Sequence, residues 1–149
     1  MSETYTIHET DDFYPLSVLF HNCGMEVPIS HNAPEGLVKM WRMDYKMTGE
    51  LMAAVTLEIR DHVYVLGDLG VRKDLQNSGY GKILQHVVFD AARKLGVKEL
   101  WGSAKVPTYY HPLGWKKMDW NESPNIAAKC STCWRRGSTC HPEIIKIEL

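Results

Sequence analysis

Net charge is almost absent from this sequence: 17 Lys and Arg stand against 18 Asp and Glu, leaving a formal charge of -1 with histidine neutral. That balance argues against nucleic acid or an anionic membrane surface as the main partner, since both are held by an excess of positive charge. Also missing is any apolar stretch near the ~20 residues a bilayer crossing requires, so no membrane partner is expected. There is no internal repeat and no low-complexity tract, which sets repeat and compositionally disordered classes aside. The start, MSETYTIHETDD, lacks both a basic cluster and an apolar run, so neither signal peptide nor anchor is expected and the expected location is cytoplasmic. Cysteine is scarce, and three of the four lie together near the C-terminus. In a reducing compartment such clusters are more often metal ligands or reactive thiols than disulfides.

What remains is a globular composition, 44% hydrophobic and 23% charged, with 11 glycines and 7 prolines in 149 residues. The length suits one domain, 1–149. TYTIHET (4–10) alternates as a short strand, and Thr10 or Asp11 can cap a helix running through Phe13, Leu16, Val18, Leu19 and Phe20 to a stop at Gly24. Residues 25–36 carry two prolines and a glycine and read as a loop. Strands are expected at 37–47, 50–59 and 62–71, and their short separators, Thr48-Gly49 and Arg60-Asp61, imply an antiparallel meander. Ile83, Leu84, Val87, Val88, Ala91 and Leu95 then follow helical spacing to a stop at Gly96. A strand at 97–104, reached through that helix, should lie parallel to the one before it. A short helix or turn follows, with Pro107 suited to a first helical position. Further strands are expected at 115–120 and 143–149, and the segment 121–142 between them is an insert.

The most informative joint is strand, QNSGYGK (76–82), helix. The first amides of a helix have no intrahelical partner and carry the positive end of the macrodipole, so an anion fits there. Glycines at 79 and 81 let the backbone approach a bulky pyrophosphate, while Gln76 and Lys82 can add donors at the rim. A flexible surface loop before a helix is the plain alternative.

The stretch LGDLGVRKDLQNSGYGKILQ (66–85) resembles the acetyl-CoA-binding motif of the GNAT superfamily of N-acyltransferases: Gln76, Gly79 and Gly81 match its Gln/Arg-x-x-Gly-x-Gly/Ala pattern, and Leu69-Gly70-Val71 matches the strand ending before it. The segment YYHPLGW (109–115) is similar to the family's FYEKLGF, with Tyr110 at its tyrosine and Gly114-Trp115 at its Gly-Phe. The likeness covers roughly residues 4–120 and the last strand. It implies an α/β (α+β) fold with a mixed, mainly antiparallel sheet flanked by helices. It further implies direct acetyl transfer from acetyl-CoA to an amine acceptor, small molecule or peptide. Backbone groups of Leu69, Gly70 and Val71 would align the pantetheine arm, with the N–H of Leu69 or Val71 on the thioester carbonyl. Amides of Asn77, Ser78, Gly79, Tyr80, Gly81 and Lys82 would hold the pyrophosphate. Tyr110 would protonate the departing thiolate, work suited to a phenol at neutral pH.

This chain departs from the family pattern in two places. Ser103 stands near the place of an asparagine common in the family. The fourth strand lacks the glutamate that often serves as base; Asp68 and Glu58 are the nearby carboxylates, both expected to be solvated or capping acids, and the base is left unassigned.

In CSTCWRRGSTCH, Cys130 and Cys133 have the two-residue spacing that lets both thiolates reach one ion, with Cys140 close behind. Tetrahedral zinc fits these ligand types. Cys23 is the preferred fourth ligand and His141 its substitute, because adjacent side chains such as those of Cys140 and His141 point apart on extended backbone. Free thiols, an adventitious disulfide and a rubredoxin-type iron site are the alternatives. Arg135 and Arg136 read as a solvated turn. The competing functions are a non-catalytic acyl-CoA sensor, or a zinc-bearing interaction module; a nucleic-acid-binding zinc ribbon fits the charge least, and a homodimer is compatible with everything above.

Overall fold

The computed structural model describes residues 4–104, 110–126 and 143–149. Its strands are β1 (Tyr5–Glu9), β2 (Leu37–Tyr45), β3 (Leu51–Arg60), β4 (Val63–Val71), β5 (Glu99–Ala104), β6 (Lys116–Met118) and β7 (Glu143–Glu148), with helices α1 (Phe13–Asn22) and α2 (Tyr80–Lys94). The strands form one mixed sheet in the order β1-β2-β3-β4-β5-β7-β6. The β1–β2, β2–β3, β5–β7 and β6–β7 pairs are antiparallel and β4–β5 is parallel. The antiparallel meander and the parallel crossover through α2 are thus as expected. The place of β7, between β5 and β6, has no local signal. None of the described helices is long and apolar enough to cross a membrane.

Backbone proximity divides the chain into two compact units, the first comprising residues up to Glu58 with Leu66–Val88, the second Ile59–Val65 with residues from Phe89 onward. In the first, α1 lays Phe13, Leu16, Leu19 and Phe20 against Met40 and Ala54. Each such side chain contributes roughly 1.5–3 kcal/mol when fully buried. The helix stops where the sequence places Gly24, whose φ is 82°, and Met25 N–H donates to Phe20 C=O at 3.1 Å. Its start differs from expectation. Asp12 occupies the cap position without a side-chain bond, and Thr10 Oγ1 accepts from Asp12 N–H at 3.1 Å instead of capping the helix. The loop after α1 is tied back by buried Ser17, whose hydroxyl oxygen accepts from Ser30 N–H at 3.0 Å.

In the second unit, Val65, Trp101, Ile126 and Ile144 make one buried cluster, flanked by Val63, Met118 and Trp120. The β3–β4 turn grips the start of the insert: Asp61 Oδ2 accepts from Asn125 N–H at 2.6 Å, and Arg60 Nη1 donates to Ile126 C=O at 3.2 Å. The turn residues Asp61 and His62 have φ of 47° and 67°. Two successive left-handed residues between antiparallel strands make a turn of the I′ kind, whose favoured sequence is Asp-Gly or Asn-Gly. His62 lacks that freedom. Replacing it by glycine should stabilise the protein by about 0.5–1 kcal/mol, read as a rise in Tm of about 1–4 °C. A Tm that is unchanged or lower in His62→Gly would contradict this account of the turn.

Candidate functional site

The segment Leu66–Lys82, all within the first unit, begins with an irregularity in β4. Side chains alternate along a strand with period two, so residues three apart should face opposite sides. Gly67 and Gly70 break that rule. A Cβ on Gly67 would run into Thr56 and Glu58, coming 2.6 Å from Glu58 Cδ, and a Cβ on Gly70 would come 2.8 Å from Phe20 Cδ1. Thr56 lies opposite Met40 in the β2–β3 register, and Phe20 packs on Met40, so both glycines face the α1 side of the sheet. The phase therefore slips by one residue between them, as at a β-bulge. Within the slip, Asp68 N–H donates to the Thr56 hydroxyl oxygen at 2.9 Å, where a regular ladder would present a carbonyl.

Beyond the slip, Arg72 N–H donates to Met52 C=O on β3 at 2.9 Å. Backbone groups alternate in direction as side chains do, so the N–H groups of Leu69 and Val71 point away from β3. Parallel pairing of β4 to β5 is registered only at Val65, so Leu66–Val71 present that outer edge without a registered strand partner among the described residues. At its end, the Val71 carbonyl accepts from Cys23 Sγ at 3.3 Å and from Gln76 Nε2 at 3.1 Å. Gln76, expected as a donor at the anion rim, is folded back on the strand because this carbonyl is within its reach.

A turn of 3-10 helix at Lys73–Leu75 leads to the exposed Gln76–Gly79 loop. Asn77 and Gly79 are left-handed there, with φ of 64° and 87°. Among the described residues, apart from its chain neighbours, no atom lies within 4 Å of where a Gly79 side chain would begin, so this side of the backbone is open. In α2 the Ile83 N–H reaches Gly79 C=O at 3.2 Å, whereas the amides of residues 80–82 precede the first full turn. The start of α2 is braced by Tyr80, edge-on to Tyr5 at 5.8 Å. Arg72 contributes little free charge: it is bidentate to Asp74 at 2.7 and 3.1 Å and lies 3.4 Å from Glu50. Those hydrogen bonds hold the Asp74 carboxyl below its ordinary range and raise Arg72. An anion here would meet helix amides, with Lys73 and Lys82 exposed nearby.

One acid and a thiol differ from expectation. Glu58 is not solvated; it is 1% exposed, and Thr56 donates to its Oε2 at 2.5 Å. Burial of a carboxylate is set by the strands around it, which no local pattern reveals; the available signal was Thr56 and Glu58 sharing one strand face, with a glycine on the next strand. Asp68 is half-buried and contributes its backbone N–H to Thr56. Cys23, the preferred fourth metal ligand, instead turns its thiol to the Val71 carbonyl. Among the described residues no group of three or more His, Cys, Asp or Glu is placed to hold a metal. Cys130, Cys133, Cys140, His141, Arg135 and Arg136 lie outside the described residues, as does Pro107.

Tyr110 belongs to the second unit. Its half-buried ring sits edge-on to Trp115, with centroids 6.1 Å apart at 85°, and buried Trp115 lies 6.0 Å from Phe89. A 3-10 turn at His111–Leu113 and Gly114, at φ 103°, connect the two aromatics. Ser103 sits in β5 opposite Ile144 of β7.

A family model described as the acetyltransferase (GNAT) family matches residues 2–114. Among solved structures, a GNAT family acetyltransferase from Elizabethkingia anophelis with acetyl-CoA bound is similar at TM-score 0.69 and 19% identity, over 98% of this chain and 99% of that one. The ribosomal-protein-S18-alanine N-acetyltransferase from Escherichia coli is similar at TM-score 0.66 and 18% identity, over 97% and 93%. N-acetylglutamate synthase from Neisseria gonorrhoeae, complexed with coenzyme A and N-acetyl-glutamate, is similar at TM-score 0.69 and 18% identity. The chain covers 97% of itself but only 35% of that synthase. No curated protein matches the chain.

The Cys23 thiol gives this site a pH signature. Burial is the largest influence and raises its pKa above the ordinary 9.0, opposed in part by the charge of Lys73. A raised folded pKa favours the neutral thiol, so its contribution to stability is complete below the unfolded value and is lost as pH rises through the folded one. Iodoacetamide labelling of the Cys23 peptide, followed by mass spectrometry, should stay slower than for a model thiol at pH 7–9 and accelerate only at higher pH. Labelling of folded protein at the model-thiol rate would contradict a neutral, carbonyl-bound Cys23.

Proposed function

The chain belongs to the acetyltransferase (GNAT) family, and from that membership we propose that it transfers the acetyl group of acetyl-CoA directly to an amine through the strand end Leu69–Val71 and the helix start at Tyr80. The observation that carries this is the continuity of one segment: an outward-facing strand edge runs through Val71 into an open, glycine-lined loop and unpaired helix amides. The edge suits an amide-bearing arm and a thioester carbonyl, and the helix start suits a pyrophosphate. Asn77, Ser78, Gly79, Tyr80, Gly81 and Lys82 are the proposed phosphate contacts, with Gln76 bracing the loop against Val71.

Acetyl-CoA supplies the activated acyl group. A neutral amine nitrogen forms the new C–N bond, the C–S bond breaks, the sulfur leaves with the bonding pair, and the nitrogen gives its surplus proton to water to become the amide. The N–H groups of Leu69 and Val71, fixed in place before reaction, favour the charge that develops on the carbonyl oxygen. Holding amine and thioester together supplies a further part of the barrier reduction, up to ~7–11 kcal/mol in favourable cases. Tyr110 is proposed as the acid that protonates the departing thiolate; its support is the YYHPLGW match and the packing of its ring on buried Trp115. The acceptor is an amine of a small molecule or a protein. Similar structures include an N-acetylglutamate synthase and a ribosomal-protein-S18-alanine N-acetyltransferase, so the shared fold spans both kinds.

Zinc at Cys130, Cys133 and Cys140 is retained as a proposal for the insert. With Cys23 turned toward Val71, His141 becomes the favoured fourth ligand. Such an ion would brace the insert and take no part in acyl transfer.

Acetyl-CoA with a broad amine panel should show turnover, and Tyr110→Phe should lower kcat by about 10²–10⁴ with the acetyl-CoA Kd unchanged. Binding without turnover across the panel would favour an acyl-CoA sensor; full activity in the variant would remove Tyr110 from the chemistry. Protein purified without chelator should contain stoichiometric zinc that Cys130→Ser loses. Metal-free, folded wild-type protein would dispose of the zinc site.

A further inference from the structure

Resting on that proposed function, we infer that Glu58 is a positioning residue for the transfer: through the Thr56 hydroxyl its buried carboxylate holds the one-residue slip in β4. The slip decides which way the Leu69 and Val71 N–H groups point. Within it, Asp68 N–H is anchored by Thr56 Oγ1, at 2.9 Å. A hydroxyl has one hydrogen and can turn it toward any acceptor. Here the hydrogen goes to Glu58 Oε2, leaving the oxygen lone pairs toward Asp68. The Glu58 oxygen, by receiving that hydrogen, fixes its direction.

The surroundings are shaped for this group. Glu58 is 1% exposed and Thr56 fully buried, and polar groups in that setting are kept where hydrogen bonds replace water. Gly67 makes the room, since any side chain there would collide with the carboxylate and with Thr56. Thr56 and Glu58, two apart on β3, and Gly67 on β4 therefore act as one unit. A glutamine at position 58 fits the same volume but can present its NH₂ to Thr56, which lets the hydroxyl reverse and withdraws the fixed acceptor from Asp68. Proton abstraction by Glu58 is a different role, and the experiment separates the two.

The test reads the thioester carbonyl itself and needs no acceptor. [1-¹³C]Acetyl-CoA bound to wild-type protein should show a carbonyl infrared band below that of free acetyl-CoA. In Thr56→Val and Glu58→Gln the band should return toward the free value, and acetyl-CoA affinity should fall about tenfold relative to CoA, the scale of one lost charge-oriented hydrogen bond. Thr56→Ser should recover most of both. Because the two residues act in series, the double variant should be no worse than Thr56→Val alone. Thermal unfolding checks that each variant is folded, and Glu58→Gln, being isosteric, is the variant least exposed to failure on that count. Folded variants that bind acetyl-CoA with the wild-type band, or whose losses add, would overturn the inference. So would a Glu58→Gln protein with the wild-type band but an altered pH–rate profile, which would make Glu58 a proton acceptor. Wild-type protein that binds no acetyl-CoA would sink the proposed function and this inference with it.

Discussion

A single-residue slip in the phase of β4 is the constraint on which the rest of the site depends. Between Gly67 and Gly70 the strand moves one position against its own alternation, and both residues face α1. A one-residue shift reverses every side chain and every backbone group beyond it. The N–H groups of Leu69 and Val71 are thereby aimed away from β3, on an edge with no registered strand partner among the described residues, while Arg72 N–H returns to β3 at Met52. A strand without the slip would carry the same residues with their hydrogen-bonding groups exchanged between edges. Nothing in the loop or the helix that follows could compensate.

The slip is supported by removing side chains in some places and burying polar ones in others. Gly70 admits Phe20, which joins α1 to the strand end, and Gly67 admits the Glu58 carboxylate. Thr56 Oγ1 accepts from Asp68 N–H within the slip. At the strand's end the Val71 carbonyl is closed off by Cys23 and Gln76, so the last residue of β4 is held from two sides. The Arg72 guanidinium is engaged by Asp74 and Glu50. An anion at this place would be met mainly by oriented amide dipoles, which are rigid and need no reorganisation when a ligand arrives. That agrees with a chain whose net charge is close to zero.

Much of this was legible from the residues in order. The Gln76–Gly79–Gly81 spacing before a helical apolar stripe marks a left-handed loop entering a helix because each of its parts is local: left-handed glycine at Gly79 and helix start at Tyr80. The meander, the stop at Gly24 and the stop at Gly96 are legible for the same reason. Glu58 was not, because a carboxylate's burial depends on partners on neighbouring strands. Cys23 illustrates the same limit. Its spacing to the other cysteines says nothing of the carbonyl 48 residues away that its thiol meets. The cap of α1 failed for a smaller reason: Thr10 bonds Asp12 N–H at a distance of two residues and leaves the helix start to Asp12.

By itself, then, the sequence determined the elements, their order, the antiparallel run of β2 to β4 and the glycine-bearing joint between β4 and α2. These follow from period, turn chemistry and helix ends, all settled within a few residues. Only the tertiary structure decided the phase of β4 past Gly67, the burial of Glu58 beneath Thr56, the turn of Cys23 and Gln76 toward Val71, and the entry of β7 between β5 and β6. Those depend on which strands and helices come to lie against one another, and contacts between residues far apart in the chain are invisible to any pattern read along it.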